Sequence, residues 1–398
     1  MNALKLSAYT LSTAVGQGID ANLKALKNGN SGLEPCRFFD INDLSTYCGH
    51  IDACDELKLE PRLKDYDCRN NRLTALTLEQ DSFASKVSAL KLKYSSNRIG
   101  VFIGTSTSGI HETERAYIEQ AKRGSLEQLP AWYNYQGTHN VYSCAEFVRN
   151  YFKLNGYSSA ISTACSSSAK VFAAAQRAIA LGICDAAIVG GVDSLCLTTL
   201  YGFNSLQVIA NELCRPSDKN RKGINIGEAA GFAIVEPANN EDSAIMMLAY
   251  GESSDAHHMS TPHPDGIGAQ LAMQKALNQA KLNSEDINYI NLHGTGTNAN
   301  DLSESRAVCE LFGKYVAASS TKGWTGHTLG AAGIIEAIYS VLSIEHQWRP
   351  KSLNTLEIDP QINANILLDS SHADIDYVLS NSFGFGGSNC SLIFGGQA

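Results

Sequence analysis

The stretch from Ser158 to Gly191, SSAISTACSSSAKVFAAAQRAIALGICDAAIVGG, constrains this chain more than any other. Ser158 to Ala164 is a run of small, β-tolerant residues of strand length. Beyond Ser168 the pattern changes: Val171, Ala174, Ala175, Ala178, Ile179 and Leu181 recur at three- and four-residue steps, the period of a helix. Ser166, Ser167 and Ser168 offer capping hydroxyls where that helix starts. Gly182 ends it, and Asp185 to Gly191 returns as a strand. Cys165 therefore falls on a tight strand-to-helix turn, a geometry that lifts a nucleophile into a cleft. A helix N-terminus favours negative charge, so the thiol is expected to ionise more easily than a free one; pKa values of roughly 3.5–7.5 are known for such sites. The competing reading is a buried cysteine acting as a small hydrophobe. Partners elsewhere in the chain decide between them.

At 398 residues, 44% hydrophobic and 18% charged, the chain has an ordinary globular composition and length for two domains or one duplicated unit. A net charge of −9 argues against a nucleic-acid ligand. The eleven cysteines contain no C-x-x-C pair, and MNALKLSAYT carries no long apolar core, so a reducing cytoplasm is expected. No apolar run approaches the roughly 20 residues of a membrane span.

Read in order, Leu4 to Thr10 is a strand, 18–27 a helix, and 33–70 mostly loop. Arg72 to Lys93 has helical spacing, Arg98 to Thr105 is a buried strand running into the turn TSTSGI, and Glu112 to Arg123 is a charged helix. The segment 131–142 is dense in aromatics. Asn239 to Ser243 marks the expected boundary between a first half, 1–243, and a second, 244–398. The second half alternates strand (Ala244–Ala249), helix (267–280), strand (Ile287–Leu292), helix (301–312), strand (Val316–Ser319) and helix (329–344), then ends in two strands. The two alternations predict α/β layers with mixed sheets.

Three glycine-rich stretches in the second half carry candidate chemistry. His293-Gly294-Thr295-Gly296-Thr297 follows a strand, where α/β folds keep their sites. Lys322 and His327 lie in KGWTGHTLG, between a strand and a helix. FGFGGSN at 383–389 joins the last two strands, and its glycines let backbone N–H groups approach a ligand. One cysteine and two histidines at strand ends form a nucleophile constellation.

TACSSS at 163–168, HGTGT at 293–297, STKGWTGHTLGAAG at 320–333 and NSFGFGGSN at 381–389, with the loop RPSDKNRKGINIGEAAG, together resemble the β-ketoacyl-acyl-carrier-protein synthases. The likeness spans nearly the whole chain. It implies the thiolase fold, two similar βαβαβαββ halves in five α-β-α-β-α layers, working as a homodimer or as a heterodimer with a related synthase subunit. It implies Cys165 as the acyl-accepting nucleophile. His293 and His327 would drive decarboxylation of a malonyl-carrier substrate and hold its enolate. Lys322 and Glu336 would support them. Phe385 would gate the mouth and, with Cys165, give backbone N–H groups to an oxyanion. Thr107, Thr295, Thr297, Phe383 and Gly386 are expected to contact substrate.

No cofactor or metal is implied, because substrates arrive on the phosphopantetheine arm of an acidic acyl carrier protein. Arg69, Arg72, Lys122 and Arg123 are the expected docking residues for that carrier. Trp132 to Tyr142 corresponds to a segment lining the acyl pocket across the dimer. Gly323-Trp324, Ala229, Ser217 and Asn298-Ala299-Asn300 depart from the usual pattern, which points to a specialised pathway member, making an unsaturated, polyene or polyketide chain. Two alternatives compete: a non-catalytic chain-length factor, which usually lacks the cysteine, and a degradative thiolase, which carries a second cysteine near the C-terminal glycine loop, where Cys390 follows Ser388-Asn389 out of that pattern.

Overall fold

The computed structural model describes residues 3–39, 41, 43–124, 128–238 and 245–396. The expected boundary at Asn239 to Ser243 lies outside them.

Ten of the twelve strands of the main sheet, among the described residues, build two half-sheets. In the first half they are β1 (Leu4–Thr13), β2 (Ile99–Gly104), β3 (Ser158–Ile161), β4 (Ala186–Asp193) and β5 (Ala229–Pro237). In the second they are β6 (Met246–Ser254), β7 (Tyr289–Asn291), β8 (Ala317–Ser319), β9 (Tyr377–Gly384) and β10 (Ser388–Gly395). The spatial orders are β3-β2-β4-β5-β1 and β8-β7-β9-β10-β6, so the halves share one topology. Parallel and antiparallel pairings also correspond: β2 runs parallel to β3 and β4, and β7 to β8 and β9, while the remaining neighbours are antiparallel. A short antiparallel contact, Leu4 with Met247 and Lys5 with Met246, joins them.

Two helices, α1 (Ser167–Ala180) and α2 (Ala332–Glu345), follow the third strand of each half and pack against each other and both half-sheets. This explains their composition. All of α2 from Ala332 to Ile344 is buried, and a helix apolar on every side belongs in an interior layer. Gly333 permits the close crossing, since a Cβ there would sit 2.4 Å from the Ala169 nitrogen. Helices Arg69–Leu78 and Ser143–Tyr151 cover the first half-sheet and Ile267–Ala280 the second, completing five layers. Among the described residues no helix is long and apolar enough to cross a membrane.

The expected continuous helix over Arg72 to Lys93 is two, Arg69–Leu78 and Phe83–Lys93, broken where Asp81 and Ser82 take positive φ. The Asp81 carboxylate accepts from the Thr10 hydroxyl and the Ile19 N–H, contacts no local pattern announces. Helix Ser143–Tyr151 escaped the sequence reading, which saw only the aromatics before it.

Candidate active site

The turn that carries Cys165 is built by one strained residue. Ala164 adopts φ 52°, which swings the chain from β3 into α1 and sets Cys165 just before the helix. The Ser167 hydroxyl accepts from the Thr163 N–H at 2.9 Å and fastens the turn. In the second half, His293 follows β7, and the His327 backbone is held on both sides: its N–H donates to the Asn225 carbonyl and its carbonyl accepts from Gly227 N–H. The loops that follow β3, β7 and β8 thus carry three side chains to one point. Cys165 Sγ and one ring nitrogen of each histidine lie within 4.8 Å of one another.

His327 Nε2 is 3.1 Å from Cys165 Sγ. Its Nδ1 accepts the Leu329 N–H at 3.3 Å, which leaves the ring proton on Nε2, facing the sulfur. The His293 and His327 rings are 5.3 Å apart and nearly perpendicular. Lys322 Nζ stands 3.5 Å from His293 Nδ1, donates to the His293 carbonyl, and pairs with Glu336. An ammonium has no lone pair to offer, so His293 Nδ1 is an acceptor and its Nε2 carries the proton. Burial first, then the Lys322 charge, holds both histidines well below the ordinary imidazole range, so both are neutral donors.

Burial likewise pushes the Cys165 thiol up to about 11, against the lowering effects of Lys322 and the Phe385 N–H. This corrects the expectation of an easily ionised thiol: desolvation inside the cavity outweighs the helix N-terminus. Glu336 is raised to about 7 by the same burial, opposed by Lys322.

A cavity of about 430 Å³ opens onto the cysteine and both histidines, and Thr295, Thr297, Phe383, Phe385 and Gly386 line it. Phe385 is 37% exposed and leans on Phe203 at 5.5 Å, at the mouth. Thr107 is not in the cavity wall. Its hydroxyl donates to buried Asp193 at 2.7 Å, because that carboxylate gathers the TSTSGI turn and the Gly330 N–H.

Arg69 is also corrected. It is 4% exposed, and its guanidinium binds Glu228 at 2.6 and 2.8 Å and reaches Asp55, so it cannot meet a carrier at the surface. Arg72 is paired with Asp67 at 2.6 Å. Lys122 and Arg123 are exposed at the end of helix Ile110–Lys122, with Arg123 paired to Glu119. Trp132 to Tyr142 lies outside the cavity wall of the single chain; the Trp132 indole donates to Glu119 at 2.8 Å.

Sequence reasoning missed the acids behind His293. Glu304 accepts the His293 and Gly294 N–H groups at 2.8 Å each and the Asn381 amide at 3.1 Å. Asp301 accepts from Gly296 at 3.2 Å and Ser217 at 2.8 Å. Two acids three residues apart in a helix opening directly after HGTGT were the available signal.

Residues 71–241 match the family model "Beta-ketoacyl synthase, N-terminal domain" and residues 245–356 its C-terminal counterpart. The chain is 30% identical to 3-oxoacyl-[acyl-carrier-protein] synthase 2 of Vibrio harveyi, over 96% of this chain and 95% of that one. It is 31% identical to the enzyme of that name from Staphylococcus aureus, over 96% and 97%. Among solved structures it resembles a chain of the ketosynthase ApeO in complex with its chain length factor ApeC from Xenorhabdus doucetiae (34% identity, TM-score 0.90, covering 100% and 98%). It also resembles a β-ketoacyl synthase from Burkholderia phymatum (28%, TM-score 0.88, covering 100% of both). With the shared fold and both family models in place, the chain belongs to the β-ketoacyl synthase family.

Proposed function

We propose that this chain is a β-ketoacyl-acyl-carrier-protein synthase with Cys165 as its nucleophile. The observation that carries the reading is the contact of Cys165 with His327, with His293 beside them at the floor of one cavity. The Cys165 sulfur attacks the carbonyl of an acyl thioester, and the phosphopantetheine thiol leaves with a proton. A malonyl thioester then loses CO2, and the electron pair of that C–C bond becomes an enolate. The Nε2–H groups of His293 and His327 donate to the enolate oxygen, each donor being worth about 2.7–4 kcal/mol of barrier. The enolate carbon attacks the acyl-Cys165 carbonyl, whose oxyanion takes the Cys165 and Phe385 N–H groups. The thiolate leaves, and the β-ketoacyl chain remains on the carrier.

Thiolate chemistry suits both halves of this sequence, since sulfur attacks a carbonyl and departs from one. Lys322 and Glu336 act on the histidines, by fixing the His293 tautomer and anchoring its loop. The need for a second subunit also belongs to this reading: one solved relative is a ketosynthase with its chain length factor, and another is the ishigamide ketosynthase/chain length factor. A specialised chain, fatty-acid or polyketide, follows from the same likeness. A non-catalytic partner role is disfavoured by the presence of Cys165, His293 and His327 together.

Incubation with a labelled acyl-carrier thioester tests the assignment. Label should remain on the parent protein through denaturation and be lost in Cys165→Ser. Retention of label by that variant, or no β-ketoacyl product from a folded parent supplied with malonyl-carrier and each candidate second subunit, would overturn it.

A further inference from the structure

Nine of the eleven cysteines are buried, and Cys36 and Cys309 are half-buried. Cys36 stands apart because a second thiol faces it. The strands Leu33–Pro35 and Tyr47–Gly49 pair antiparallel, with Glu34 opposite Cys48 and Pro35 opposite Tyr47. The Cys36 N–H continues the ladder by donating to the Thr46 carbonyl at 2.8 Å. Cys36 therefore lies opposite Thr46, two residues from Cys48, which puts both thiols on one face of the hairpin. Their side chains share a hydrogen bond there. Cys48 is 3% exposed in an apolar cluster with Leu200, Ile224 and Ile226, and Cys36 packs against that cluster. Neither lines the cavity that opens onto Cys165.

The chain after Cys36 turns three successive backbone donors onto the two sulfurs. The Phe38 and Phe39 N–H groups reach the Cys36 sulfur, and the Arg37 N–H reaches that of Cys48. Successive N–H groups aimed at one atom favour negative charge on it. The hydrogen bond from Cys48 is the largest influence, and with the two N–H groups it holds the Cys36 thiol down at about 7 against desolvation. As the donor of that bond, Cys48 is pushed up. Desolvation raises Cys309, and it raises Cys165 to about 11. The pair thus consists of a thiolate partly open to solvent and a buried thiol in contact with it, the arrangement of a redox-sensitive cysteine beside a resolving one.

We propose that Cys36 and Cys48 form an oxidation site for small hydroperoxides, in which Cys36 reacts first and Cys48 resolves it to a disulfide. The Cys36 thiolate attacks the terminal oxygen of the peroxide. An S–O bond forms, the O–O bond breaks, and the remaining oxygen leaves as water or an alcohol with the proton that Cys36 had given up. The Cys48 sulfur then attacks the Cys36 sulfenic acid. The S–S bond forms, the S–O bond breaks, and the hydroxyl departs as water with the Cys48 proton. Two thiols are oxidised by two electrons, and the peroxide is reduced. Cys36 lies one residue past its strand, so its sulfur closes on Cys48 without parting Glu34 from its partner in the ladder. Cys165, buried and protonated, reacts later.

Peptide mapping tests this on the full chain. Reduced protein is freed of reductant, treated with hydrogen peroxide at neutral pH, alkylated, and digested without reduction. The digest should contain one cross-link, joining the peptides of Cys36 and Cys48, lighter by two hydrogens and lost on adding dithiothreitol. Cys165 should still be alkylated in the same sample. Cys36 should lose its reactive thiol at least about tenfold faster than Cys309. Cys48→Ser keeps a hydroxyl donor beside Cys36 but closes no disulfide, so dimedone should trap Cys36 as its sulfenic acid. Cys165→Ser should give the same cross-link as the parent, because the site is independent of the synthase reading.

A parent digest without the Cys36–Cys48 link would overturn the proposal, and so would links or oxidised forms at Cys165 or Cys309 appearing first. Absence of a dimedone adduct at Cys36 in folded Cys48→Ser would remove Cys36 as the first site of attack. The parent digest decides the matter even where a variant folds poorly.

Discussion

Replacing Glu304 with glutamine probes the carboxylate that holds the first histidine loop. Glu304 is 2% exposed and accepts two backbone N–H groups, from His293 and Gly294, at 2.8 Å each. A glutamine has one oxygen for those two donors and turns its NH2 toward the other. Leaving one buried N–H unsatisfied costs about 1–3 kcal/mol. A second effect opposes this. Burial raises the Glu304 carboxyl from 4.5 to about 7, so the folded state holds that proton more tightly than the unfolded chain does. The stability this gives is complete below about pH 4.5 and is lost as pH rises through about 7, a span of about 3 kcal/mol.

Glutamine does not titrate, so Glu304→Gln escapes that loss. Its deficit against the parent should be greatest at about pH 4.5 and below and shrink by up to about 3 kcal/mol by about pH 8. Urea unfolding at both pH values, with unchanged m-values, measures it. Displacement of His293 should also lower kcat by as much as about 100-fold. Parallel pH–stability profiles for parent and variant, together with an unaltered kcat, would refute the reasoning.

Other outcomes follow from the same geometry. Because burial raises the Cys165 thiol to about 11, its alkylation by iodoacetamide should climb steadily from about pH 7 to about pH 10, and a plateau by about pH 8 would contradict that environment. His327→Ala should lower condensation by about 10²–10³-fold while intact-mass analysis still finds acyl-Cys165; complete loss of the adduct would instead assign His327 to acyl transfer. Arg69→Ala should cost about 3–5 kcal/mol by stranding buried Glu228; normal stability with a raised KM for carrier would return Arg69 to a docking role.

The three residues of the proposed site were legible in loops that follow strands, the two histidines among glycines and Cys165 among serines, because a strand-to-helix turn leaves a local record in residue type. The alternation of strands and helices was legible for the same reason, and β4, β9 and helix Ile267–Ala280 fall close to their expected limits. The breaks were less so. Asp81 and Ser82 interrupt a regular helical pattern for a contact with β1, and Ala164 takes φ 52° without any glycine to announce it.

Charge was the least legible property. Arg69 and Arg72 look alike in sequence, yet one is buried against Glu228 and the other is paired near the surface. Lys222 attracted no notice in the sequence, yet it stands in the cavity wall. Glu304 and Asp301 likewise gained meaning only when the helix folded back beneath the His293 loop.

The sequence by itself determined which groups can react and the layered fold that carries them, because side-chain type and hydrophobic period are properties of neighbouring residues. Tertiary structure decided their ionisation and their companions: the raised thiol, the neutral imidazoles, and the tautomers fixed by Leu329 and Lys322. Those depend on desolvation and on distances between segments more than a hundred residues apart, such as Cys165 and His327, and no local pattern encodes such a distance.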